Sequence, residues 1–165
     1  MNRPGSLTIT TPGEREILWT RVLSAPRHLV FEALSRPELL KRWLSGPPGW
    51  SMVDCENDLR VGGSFRHVWR GPEGMQMVMS GIYREVVPPE RIVRTESMEL
   101  GCESQAGEQL ATMELTEEGG RTTLTITVLY PTKEARDATI ASGMERGVAA
   151  SYDRLADLLA SGTPA

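Results

Sequence analysis

The sequence predicts an α+β fold in which a curved antiparallel β-sheet of about six to seven strands wraps around a long C-terminal helix, with two short helices after the first strand. Three observations predict it. Between about residues 52 and 130, short runs of alternating apolar and polar residues are separated by glycine- and proline-rich pairs, the pattern of hairpins. From Thr132 onward the period changes, and apolar residues recur at helical spacing to about Ala160. A proline-punctuated stretch from Ser24 to Leu44 separates the first strand from the others and carries two short helical patterns. Strands followed by one amphipathic helix pack as a sheet with its concave face on the helix. The gap between the two layers can hold a ligand.

Residues 1–13 are polar and rich in Thr, Pro and Gly, and are expected to form a flexible arm. Residues 14–160 are expected to form a single domain, followed by a short tail at 161–165. From Glu14 the run EREILWTRVLS reads as a strand, with Ile17, Trp19, Arg21 and Leu23 on one side. Pro26 opens a first helix over 26–35, and Pro37 stops it and starts a second over 38–44. Strands are expected at Met52 to Leu59, Ser64 to Arg70, Met75 to Val87, Arg91 to Leu100, Leu110 to Glu117 and Thr122 to Tyr130. Met98 to Glu108 contains Gly101 and Gly107 among polar residues and reads as a longer, lid-like loop. Thr132 is a helix N-cap, and Ala141, Met144, Val148, Tyr152, Leu155 and Leu159 form the apolar stripe of one long helix. Gly143 and Gly147 imply either close approach of another segment or a bend.

Composition narrows the function classes. Eighteen Lys plus Arg against 22 Asp plus Glu give a formal charge of -4, which offers nucleic acid no basic platform. Cys55 and Cys102 lack CxxC spacing, and two histidines far apart form no metal motif, so neither a metal nor any other cofactor is called for. The start lacks a basic segment followed by an apolar run, and nothing approaches the roughly 20 apolar residues of a membrane span. The expectation is a cytoplasmic protein with reduced thiols. An edge strand or the exposed helix pair offers a route to a homodimer.

The stretch Gly74-Met75-Gln76-Met77-Val78-Met79-Ser80-Gly81 sets three methionines at every second position. On a strand they share one face. Methionine fills irregular core space and equally suits adaptable binding walls, so core filling and a cavity wall remain alternatives for Met75, Met77, Met79, Met113 and Met144. If the face carrying Gly81 and Tyr83 turned outward, the row would instead mark a partner surface. Trp43, Trp69, Phe65 and Tyr83 supply aromatic bulk, as packing or as a stacking wall. His67 alternates with Phe65 and Trp69, and reads either as a structural histidine or as a polar anchor within the pocket. An inward arginine would recognise a ligand carboxylate or phenolate, with Arg66 and Arg84 the residues to inspect. Ser151 and Cys55 sit in no activated nucleophile motif.

Four segments, SAPRHLVFEALSRPELLKRWL at 24–44, DLRVGGSFRHVWRGPEG at 58–74, GIYREVVPPERIVRTE at 81–96 and TTLTITVLYPTKEARDATIASGMERGVAASYDRLADLL at 122–159, resemble in order the activator of heat-shock-protein-90 ATPase homologue group. That group lies within the START-like or SRPBCC superfamily of helix-grip folds. The resemblance implies a cavity between sheet and helix, with the short-helix pair closing one end near Trp43. It departs at Val148, where relatives commonly carry tryptophan, at Tyr152, where leucine is usual, and at Leu44, where a second aromatic is frequent. Val148 implies a larger or differently shaped cavity. The function expected is binding or carriage of a small apolar, aromatic, lipid or polyketide-like ligand, with Val148 and Tyr152 joining the residues above as its lining. The alternatives are a cyclase or hydrolase using His67, Tyr83 or Tyr152 for proton transfer, and a module stimulating a chaperone ATPase.

Overall fold

Period-two alternation, bounded by glycine and proline turns, produces most of the molecule. The computed structural model describes residues 7–46, 48–100 and 103–161; Pro47, Cys102, residues 1–6 of the expected arm and residues 162–165 of the tail lie outside the described residues. The strands are β1 (Thr8–Thr10), β2 (Glu16–Leu23), β3 (Ser51–Asn57), β4 (Ser64–Arg70), β5 (Gln76–Val87), β6 (Arg91–Leu100), β7 (Glu103–Glu118) and β8 (Arg121–Leu129). The helices are α1 (Arg27–Ser35), α2 (Pro37–Trp43), α3 (Lys133–Ala141) and α4 (Met144–Ala160). All eight strands join one antiparallel sheet in the order β1-β2-β8-β7-β6-β5-β4-β3, a meander from β3 to β8 closed by β2. The α+β helix-grip arrangement expected from the sequence is the one observed.

One apolar cluster binds the layers together. It joins Val30 and Phe31 of α1, Trp43 of α2, and Tyr152, Leu155 and Leu159 of α4 to the inward side chains of the sheet. Leu155 has no exposed surface, and its burial contributes roughly 1.5–3 kcal/mol. Polar ties fix α4 in place. Arg21 of β2 donates to Asp153 at 2.7 Å, and Arg154 donates to the carbonyls of Trp43 and Gly46 at 3.0 and 3.1 Å.

Three expectations are corrected. The arm is not loose throughout, because Thr8–Thr10 pairs with Leu18 to Thr20 and adds an eighth strand. The segment 98–108 is not a lid: β6 and β7 run on as a hairpin, with Met98 opposite Gln105 and Leu100 opposite Glu103. Residues 101 and 102 lie outside the described residues. The long helix is two helices, since Gly143 at φ +79° takes the left-handed conformation at the start of α4. Only glycine adopts that geometry at little cost. Nothing approaches the place of a Cβ at Gly147, so of the two readings of the glycine pair the bend at Gly143 is the right one. Ala141, placed in the apolar stripe by its spacing, lies before the bend and is exposed.

Candidate functional site

The register sets the inner face. Phe65, His67 and Trp69 of β4 stand opposite Gly81, Met79 and Met77 of β5, and Tyr83 stands opposite Arg94 of β6. Phe65, Trp69 and Tyr83 are buried in the core cluster, and Met77 and Met79 are partly buried against it. The face carrying Gly81 and Tyr83 therefore turns inward. Met75 precedes β5 and is 46% exposed, so it stands apart from the other two methionines. Met113 is buried in the core on β7, Val148 is partly buried against it, and Met144 is partly buried in the first turn of α4.

Trp43 and Trp69 are held rigidly. Their indole N–H groups donate to the carbonyls of Ala33 and Leu44, each at 2.8 Å, and the Trp43 ring meets Tyr152 with centroids 5.3 Å apart. The Trp19 indole N–H lies by the Tyr152 hydroxyl without closing a hydrogen bond of full geometry.

Beneath these aromatics is a polar floor that alternation alone did not reveal. Arg66 and Arg84 both point outward, correcting the expectation that one of them faces the ligand. The inward arginine of this region is Arg94, paired to the Glu96 carboxylate at 2.9 Å with both side chains under a tenth exposed. Its guanidinium lies 4.0 Å from the Phe65 ring centroid, a cation–π contact away from water. The second Glu96 oxygen accepts from Gln109 at 2.9 Å. Tyr83 donates its hydroxyl to the Asn57 side chain, which in turn donates to the Ser35 carbonyl. The signal that could have found the pair is Ile92, Arg94, Glu96 and Met98 on one strand face, opposite charges between apolar ends.

His67 sits in this floor with 0% exposure, its ring 5.0 Å from Phe65 and 5.8 Å from Trp69, and neither ring nitrogen has a hydrogen-bond partner. Burial first, and then the Arg94 charge, push its pKa down to about 3. The imidazole is neutral near pH 7. Since the unfolded ring titrates near 6.5, the stability contributed by the neutral buried form is full above about pH 6.5. It is lost as pH falls toward 3, at up to about 1.4 kcal/mol per pH unit. Urea unfolding at pH 7 and 4.5 should show a smaller acid loss for His67→Phe than for wild type; equal losses would remove His67 from the acid response.

Burial also acts on a thiol and two phenols of this region. Burial pushes the Cys55 thiol up to about 11 and raises the Tyr83 and Tyr152 hydroxyls above their ordinary range. The Ser151 hydroxyl accepts from Arg154 at 3.1 Å and contacts no base. No group of three or more His, Cys, Asp or Glu among the described residues is arranged to hold a metal ion. No helix among the described residues is long and apolar enough to cross a membrane. An open groove of about 170 Å3 beside Arg15 and Arg84 reaches Gln109, the partner of Glu96, and another of about 370 Å3 lies beside Arg27 and Arg91. The inner face itself is covered by side chains.

The family model described as Activator of Hsp90 ATPase homolog 1-like protein matches residues 24–160. Among solved structures, a Rhodobacter sphaeroides protein superposes with a TM-score of 0.88 at 33% identity, over 94% of this chain and 99% of that one. A Nitrosomonas europaea protein follows at TM-score 0.78 and 30% identity, over 90% and 96%. A Chromobacterium violaceum protein gives 0.75 at 28%, over 88% and 97%. Among curated proteins, none matches the chain.

Proposed function

Because the chain belongs to the Activator of Hsp90 ATPase homolog 1-like protein family, we propose that it binds and carries a small, largely apolar molecule between α4 and the concave face of the sheet. One observation carries this reading. Met77 and Met79 are only partly buried although they pack on the core, so this side is walled by flexible thioether chains while its floor is polar and hydrogen-bonded. Apolar walls around a few fixed polar groups are the usual composition of a small-molecule site. The unpaired Cys55 thiol is in keeping with a cytoplasmic setting.

The test uses a neutral dye that fluoresces in apolar surroundings, N-phenyl-1-naphthylamine. Saturable enhancement is expected with the full chain, and Val148→Trp should weaken it at least about tenfold, or about 1.4 kcal/mol, by filling space beside α4. The unfolding midpoint of the variant serves as the control for folding. Absence of saturable binding, or affinity untouched by the tryptophan, would send the reading back.

The convergence of His67, Tyr83 and Arg94 is the arrangement a cyclase or hydrolase would use. Against it, the His67 pKa falls to about 3 and the tyrosine hydroxyls rise, which moves each group away from the range useful near neutral pH. The chaperone-ATPase reading rests on the family description alone.

A further inference from the structure

We infer that His67 is the specificity residue of the binding site proposed between α4 and the sheet, and that the ligand carries a neutral hydroxyl, phenolic or alcoholic, on an apolar body. The inference rests on the binding role proposed above and names its ligand class. The other polar side chains of the floor are partnered: Arg94 has Glu96, Glu96 also has Gln109, and Tyr83 has Asn57. His67 alone among them is fully buried with both nitrogens open. Buried polar atoms are nearly always hydrogen-bonded, so an orphaned ring marks a place where a partner is absent. A neutral imidazole offers one donor and one acceptor, and a hydroxyl can donate to the bare nitrogen or accept from the N–H, whichever tautomer is present.

Charge decides between a hydroxyl and an ion. Arg94 and Glu96 are paired at 2.9 Å, which weakens the Arg94 charge felt at His67 without removing it. A ligand carboxylate would meet a guanidinium already paired and a second carboxylate beside it. An ammonium would meet the Arg94 charge. Either ion would leave water for a floor with no net charge to receive it, whereas a neutral hydroxyl keeps the balance.

The methionines provide the entry. Met79 is the cross-strand neighbour of His67 and Met77 that of Trp69, and both are partly buried. Their unbranched thioether chains change rotamer more readily than β-branched or aromatic cover, so they can move aside from a ring that the surrounding aromatics hold still.

Three naphthalenes of similar shape test the inference: 2-naphthol, 2-methylnaphthalene and 2-naphthoate, titrated into the full chain at pH 7 in competition with N-phenyl-1-naphthylamine. Wild type should bind 2-naphthol at least tenfold tighter than 2-methylnaphthalene, against their order of transfer from water, and 2-naphthoate most weakly. His67→Phe keeps an aromatic ring in place and should bring the first two within twofold. Nitrogen NMR of the wild-type His67 ring should move with 2-naphthol and stay still with 2-methylnaphthalene, a readout that holds even if the variant fails to fold. Equal binding of the two by wild type, a preference that survives His67→Phe, or a ring signal indifferent to the hydroxyl would overturn the inference and leave the proposed binding role standing. No binding of the dye or of any naphthalene would overturn the proposed binding role and the inference with it.

Discussion

Arg94→Met should destabilise the protein by about 3–5 kcal/mol, the range seen when one partner of a buried ion pair is removed. The guanidinium and the Glu96 carboxylate are 8% and 7% exposed and 2.9 Å apart, with Phe65 covering the cation. Truncating the cation leaves the carboxylate buried with only Gln109 as a side-chain partner. That residual charge, more than the lost attraction, is the main cost. The double variant Arg94→Met/Glu96→Leu should therefore recover much of the loss, because a buried pair replaced by apolar groups of similar volume is often near neutral. Urea unfolding at pH 7 of the two single variants and the double variant measures this. A double variant as unstable as the sum of the singles would show that the two charges do not act as a pair.

Gly81→Ala is expected to cost about 3 kcal/mol or more, at the upper end of overpacking effects. A Cβ at Gly81 would lie 1.8 Å from the Thr95 carbonyl oxygen and 2.8 Å from Phe65 Cε1. The first of these is backbone of the neighbouring strand, so no rotamer change relieves the clash. β5 and β6 would have to separate next to the irregularity between Tyr83 and Glu85, loosening the turn of the chain that aims Tyr83 at Asn57. Gly147→Ala is the matched control. It lies inside α4 with nothing within 4 Å of an added Cβ, and should stabilise by about 0.5–1 kcal/mol through helix propensity. Thermal unfolding of both variants should move in opposite directions; shifts of the same sign would contradict the packing described for one of the two glycines.

The two substitutions mark the boundary of what residue patterns disclose. A glycine in a strand and a glycine in a helix look alike in a sequence, and close approach was one of the two readings open for Gly147 while Gly81 carried no such signal. Only neighbouring segments distant in the chain distinguish them. The same holds for the methionine row. Alternation places Met75, Met77 and Met79 on one face, but the pairing of β5 with β4 and the end of the strand decide that Met77 and Met79 face the core side while Met75 is left outside. Of the residues named as ligand lining, Trp43, Phe65, His67, Trp69, Met113, Tyr83 and Tyr152 are buried, and Met77, Met79, Met144 and Val148 partly so. Which of them meets a ligand is for the dye and naphthalene experiments to decide.

The amino-acid sequence by itself determined the element order, most strand limits, the hairpin turns, the grouping of Ile17, Trp19, Arg21 and Leu23 on one strand face, and the family, because each depends on local propensity and short periodicity. The tertiary structure alone decided four things. Thr8–Thr10 became a strand because β2 offered it a free edge. The final helix broke at Gly143, whose left-handed backbone separates a segment bound to β2 through Arg136 from one docked in the core. Arg94 and Glu96, rather than Arg66 or Arg84, formed the polar floor, since a period of two defines faces without saying which is inside. His67 lost water on every side without gaining a partner, a condition that exists only once strands and helices close over it.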